Sequence, residues 1–174
     1  GTMAALGLSR PHMPYKALIM SILISPMIVP LIITAAGMFF FYARINLVYT
    51  FTGVILAHVA LATPFVVITV TATLVGFDMN MVKAAQSLGA KPMRTFFKVI
   101  MPLILPGIIS GALFAFITSF DEVVIVMFMA SIDQLTIPKQ MWAGIRQEIS
   151  PVILCMATCL VILSICLLYT SDAA

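Results

Sequence analysis

The sequence predicts an all-α protein, a polytopic bundle of transmembrane helices. Three observations carry this. Of 174 residues, 63% are hydrophobic and only 9% charged, with a mean hydropathy of +1.19. A soluble domain carries about 25% charged residues, so these few charges cannot cover a water-facing surface. Four apolar runs are long enough to cross a bilayer, which takes about 20 residues. The strict alternation of a membrane barrel is absent, and in lipid the remaining way to satisfy the backbone is the helix.

The elements follow in chain order. Gly1 to Ser9 reads as the tail of a helix that begins upstream, with no cationic start of a signal peptide. The first span is Ala17 to Phe41, with Pro26 and Pro30 as tolerated kinks. "YARINL" is a tight hairpin, and Leu47 to Val75 is the second span, interrupted by Pro64. Asp78 caps a short helix over Met79 to Leu88, and Gly89 ends it. Lys91, Arg94 and Lys98 keep the next segment wet, and Pro102 and Pro106 mark re-entry into a third span, Pro102 to Met129. Ala130 to Ser150 is a longer loop with a short amphipathic helix around Lys139 to Gln147, Pro138 as a breaker and Trp142 at the interface. A fourth span starts near Val152. The closing Cys166 to Ala174 reads as a non-native tail behind a single transmembrane domain over 1–165.

Charge sets the orientation. Arg10, Lys16, Lys83, Lys91, Arg94 and Lys98, six of the nine Lys/Arg, fall in two connections, which the positive-inside rule places in the cytoplasm. Arg44, Lys139 and Arg146 then lie outside. The net charge of +3 is dispersed, without a basic patch interleaved with aromatics, so nucleic acid is not an expected partner. Cys155, Cys159 and Cys166 lack metal-type spacing and read as small packing residues.

Two acids stand out. Asp121 and Glu122 interrupt the third span, Asp121 lying ~22 Å beyond Pro106 at the helical rise. An ionised carboxylate in lipid costs at least ~2.5 kcal/mol. Gly107, Gly111, Ala115, Thr118 and Glu122 share a stripe, and the two glycines make a small-xxx-small contact for another helix. The acids, with Thr118 and the aromatic surface of Phe120 and Trp142, fit a cation site on a translocation path. A pair buried against Lys139 or Arg146, or acids reaching the outer interface, is the competing reading. His58 reads as a hydrogen-bonded packing histidine, with a proton relay as the alternative. His12 shows no partner spacing.

The segment Val82 to Gly111 resembles the cytoplasmic signature of bacterial ABC importer permeases. The pattern Glu-Ala-Ala, three residues, Gly, nine residues, Ile-x-Leu-Pro appears as Lys83-Ala84-Ala85, Gly89 and Val99-Ile100-Met101-Pro102. Lys83 stands where the family carries Glu. "ATPFVVITVTATLVGFDMNMVKAAQSLGA", "SFDEVV" and "MWAGIRQEISP" are similar to the spermidine/putrescine type within that family. The resemblance implies six spans, of which this chain lacks the first and part of the second. It implies a coupling segment over 76–101 in which Lys83, Ala84, Ala85, Gly89 and Pro102 engage separate ATPase subunits. Further implied partners are a second permease subunit, a periplasmic solute-binding protein and the lipid of the bacterial inner membrane. The cargo would be a polyamine. No GxxxxGK[ST], HExxH or GxSxG occurs, so the chain is expected to be a non-enzyme without its own cofactor, ATP being bound by partner subunits. A passive channel or membrane scaffold is the alternative class, as is a permease for another small solute.

Overall fold

The computed structural model describes residues 1–10, 13–147 and 151–172, and every regular element among them is helical. In order these are α1 (Thr2–Leu8), α2 (Lys16–Ile28), α3 (Leu31–Arg44), α4 (Phe51–Val75), α5 (Met79–Ser87), α6 (Pro92–Thr95), a π-helical turn (Phe96–Ile100), α7 (Met101–Phe120), α8 (Val124–Met129), α9 (Ile137–Gln147) and α10 (Pro151–Asp172). His12 and Glu148 to Ser150 lie outside the described residues.

The centre of the fold is the antiparallel pair α4 and α7. Both glycines of the expected stripe are buried at this contact. A Cβ on Gly107 would overlap the Thr73 hydroxyl, and one on Gly111 would overlap the Thr69 hydroxyl and press on the Val66 backbone. Close approach of two helices in lipid rests on such small residues, because packing contacts replace the missing hydrophobic drive. Thr69 Oγ1 and Thr73 Oγ1 donate back to the Phe65 and Thr69 carbonyls at 2.9 and 3.0 Å, so neither hydroxyl is left bare. Toward the inner end Ala5 of α1, Val70 and Ile104 form one buried cluster. Toward the outer end Ala35 of α3, Ala57, Leu61, Ile125 and Met129 form another.

Three expectations are corrected. The first span is not one kinked rod: α2 and α3 meet at 107°. Pro30 fixes its φ at −52° and pushes Val29 into extended backbone (ψ 136°), which ends α2. Pro26, by contrast, stays inside α2. The Ile22 carbonyl it cannot serve accepts from Ser25 Oγ at 2.8 Å. Second, Pro102 does not begin the helix of the third span. Helix runs without a gap from Pro92 to Phe120. Pro92 takes the first-turn position proline favours, and the wider π turn precedes Pro102, whose ring cannot donate to residue 98. Third, the span that was to reach Met129 stops at Phe120, and α8 is a separate short helix.

The amphipathic helix is present as α9, with Pro138 tolerated in its first turn rather than breaking it. The fourth span is α10, which leans on α7 and α9 and continues through Cys166 to Asp172. Cys155, Cys159 and Cys166 face outward from α10 instead of packing.

Candidate functional site

The inner end carries the motif segment. Asp78 Oδ1 accepts the Asn80 N–H at 2.9 Å and starts α5. The helix ends in a complete Schellman arrangement. Gly89 has φ +81°, its N–H donates to the Gln86 carbonyl at 2.9 Å, and the Ala90 N–H donates to the Ala85 carbonyl at 3.0 Å. A left-handed residue is cheap only for glycine, which explains why the spacing requires Gly at this point. α5 rests on α6 and the π turn, at the foot of the long helix.

Its outward surface was only partly foreseen. Lys83 and Ala84 are exposed and Ala85 is half-buried. Met81 and Leu88 extend the alanines into one face at i, i+3, i+4 and i+7, and Leu88 is 89% exposed. The sequence carries their helical spacing to the alanines, next to the alanine–glycine motif. Pro102, near the start of α7, is exposed and is not gathered into this face.

The outer end is built differently. α7 stops at Phe120, and Asp121 (φ −88°, ψ 0°) terminates it with an exposed side chain. Glu122 turns inward to 7% exposure, and its Oε1 accepts the Ile125 N–H at 2.8 Å. It thereby serves one of the free amides at the start of α8. The two acids therefore diverge, and they occupy a helix break rather than a helix face. Thr118 is half-buried on the last turn of α7, and Trp142 is exposed on α9 beside Lys139 and Arg146. Lys139 Nζ donates to the carbonyls of Ala130 and Ser131, at 3.5 and 3.1 Å, where α8 ends.

The expected hydrogen-bonded packing histidine is present here, and the residue that sequence reading missed is its partner, Ser119. His58 Nδ1 lies 2.9 Å from Ser119 Oγ, joining α4 to α7 across 61 positions of chain. Glu122 follows Ser119 by three residues, just past the end of α7. A cavity of about 520 Å³ opens beside the pair. The outer loops are tied together above it: the Tyr49 N–H donates to the Met129 carbonyl at 2.9 Å, and Gln134 Nε2 donates to the Tyr49 carbonyl at 3.3 Å.

Comparison with known proteins agrees with this layout. The chain is 30% identical over 172 residues to the spermidine/putrescine transport system permease protein PotC of Haemophilus influenzae, covering 99% of this chain and 67% of that protein. It is 29% identical to PotC of Escherichia coli K12, covering 99% and 65%. It is 37% identical over 103 residues to the putrescine transport system permease protein PotI of the same organism, covering 59% and 37%. The chain thus spans about two thirds of the length of its PotC relatives. Its fold matches the MetNI methionine ABC transporter in an inward-facing conformation, with a TM-score of 0.73 over 98% of this chain and 82% of that one, at 19% identity. A family model described as binding-protein-dependent transport system inner membrane component matches residues 1–173. The chain belongs to that family of multi-pass inner-membrane transport components.

Proposed function

We propose that this chain is the permease subunit of an ABC importer, with a single permease domain over 1–165, that it lines the path of a small polyamine, and that α5 is its mechanical link to separate ATPase subunits. One observation carries the reading. A short helix outside the spans, capped at both ends, turns Met81, Ala84 and Leu88 to solvent while resting on the continuous helix Pro92–Phe120. An apolar face kept in water calls for a groove to seat in, and the rigid helix behind it transmits a push to the bundle. Ala84 and Ala85 give the flat centre, Lys83 a charge at the rim, Gly89 the stop, and Pro102 a fixed point on the helix above.

ATP is bound by the ATPase partners, and the chain itself carries out no reaction. A second permease subunit completes the path, and a periplasmic solute-binding protein delivers the cargo. Asp121 and Glu122, with Thr118 and Trp142, stand at the outer end of that path. The likeness to the PotC and PotI proteins supports a polyamine as cargo, and the acids support a cation.

The test is radiolabelled putrescine uptake by the complete assembly in vesicles, with ATP hydrolysis measured in parallel. Wild type is expected to accumulate putrescine. Gly89→Val places a β-branched residue at positive φ, costing about 1–2 kcal/mol, and is expected to leave hydrolysis running while uptake falls about tenfold. Unchanged uptake per ATP in this variant removes α5 from the coupling path, and no uptake by wild type removes the polyamine.

A further inference from the structure

The cavity beside His58 has a composition that neither the coupling helix nor the acid pair explains. Its walls are Val59 and Ala62 of α4 and Phe116 and Phe120 of α7, and Thr136 stands at the rim. The two phenyl rings stack with centroids 5.4 Å apart and planes 18° from parallel. Among the described residues, the polar side chains of the lining are the His58 ring and the Ser119 hydroxyl, already 2.9 Å apart, with Thr136. Three residues beyond Ser119 stands the carboxylate residue Glu122, which is 7% exposed. At about 520 Å³ the space is of the size that small ligands occupy.

We infer that this cavity is a subsite for one end of an alkylammonium chain, with the ammonium at the His58–Ser119 pair and the methylenes along the α4 and phenyl walls. The inference rests on the polyamine reading above and deepens it by naming where one amine sits.

The chemistry selects this ligand class over the others. An anion meets the field of Glu122. A hard metal cation needs six or more oxygen ligands, and the lining offers the hydroxyls of Ser119 and Thr136. A purely apolar solute leaves the His58–Ser119 pair without a use. An alkylammonium uses every part: the ring nitrogen or hydroxyl accepts an N–H, a phenyl face attracts the cation, and the aliphatic wall takes the methylenes. His58 and Ser119 then bind the amine directly, whereas Glu122 acts through the field it sets and through the α8 backbone it holds in place.

The experiment is equilibrium binding of radiolabelled putrescine to the solubilised permease–ATPase assembly without its solute-binding protein, whose own affinity masks the path. Uptake by the full assembly in vesicles is measured beside it. Competition by methyl- through butylammonium is expected to strengthen about fourfold per methylene. His58→Ala is expected to weaken putrescine binding about tenfold, and His58→Asn, which keeps a partner for Ser119, to recover most of it. Ala62→Phe fills the cavity while keeping both His58 and Ser119 in the chain, and is expected to abolish the dependence on chain length. This last variant keeps the test decisive if His58→Ala does not assemble. Normal uptake with binding unchanged in both His58→Ala and Ala62→Phe overturns the subsite and leaves the polyamine reading standing. Normal uptake without measurable binding to wild type overturns the subsite as well. Absence of putrescine uptake by wild type overturns the polyamine reading itself, and the subsite falls with it.

Discussion

The two ends of the α4–α7 pair solve opposite problems. At the inner end, α5 caps its own backbone at both ends, through Asp78 at the start and the Gly89–Ala90 arrangement at the finish, and leaves Leu88 and Met81 uncovered. At the outer end, Glu122 spends a buried carboxylate on the amide of Ile125, and Ile125, Val126 and Met129 are fully enclosed. The inner element is self-sufficient and can move as a body against a partner. The outer element depends on its neighbours, so it stays in register with α3, α4 and the loop at Tyr49. Between them the glycine contact keeps the two long helices parallel enough for one end to feel the other.

Breaking the middle has the largest expected effect. Gly111→Leu drives a branched side chain into the Thr69 hydroxyl and the Val66 backbone. Overpacking of this kind costs about 3 kcal/mol. We expect loss of the α4–α7 contact, read as a lowered thermal transition of the detergent-solubilised protein. A wild-type transition would show that the helices can separate without cost.

Next comes a split at the outer end. Glu122→Ala leaves the Ile125 N–H without its acceptor and costs about 1–3 kcal/mol. Glu122→Gln keeps an oxygen at the same place and is expected to hold stability within about 0.5 kcal/mol of wild type. Asp121→Asn combined with Glu122→Gln is expected to weaken cation uptake while the assembly survives. Equal destabilisation by Ala and Gln would sever the cap from the fold, and normal uptake by the double variant would remove the acids from the path.

The smallest effect on the fold and the sharpest on association belongs to the inner end. Leu88→Glu alters a residue that is 89% exposed and is expected to change stability by less than about 0.5 kcal/mol. Co-purification with the ATPase is expected to drop about thirtyfold, since truncating or charging a central apolar anchor costs about 2 kcal/mol on the scale of interface hot spots. Full recovery of the ATPase with this variant argues that α5 docks elsewhere.

What the sequence disclosed follows from how local each signal is. Asp78, the alanines and Gly89 define α5 because capping acts within a few residues. The glycine stripe foretold the α4–α7 contact because small residues at helical spacing have few other uses in lipid. The break at Asp121 was hidden, as no glycine or proline punctuates "SFDEVV" and glutamate is a poor signal of a helix start. The bend at Val29–Pro30 did carry a signal, the restriction on the residue before proline, which tolerance of proline in membranes outweighed. The His58–Ser119 pair joins residues 61 apart, and only the packing of two helices reveals it.

The corner between α2 and α3 has a consequence for the surrounding solvent. A helix that ends inside hydrocarbon strands its last carbonyls, and acyl chains offer them no donor. With the two segments set at 107°, the tail of the first cannot hand its acceptors to the head of the second. At hydrocarbon depth such a turn belongs against another polypeptide or a watery crevice. A flank built this way is unfit for direct immersion among fatty chains.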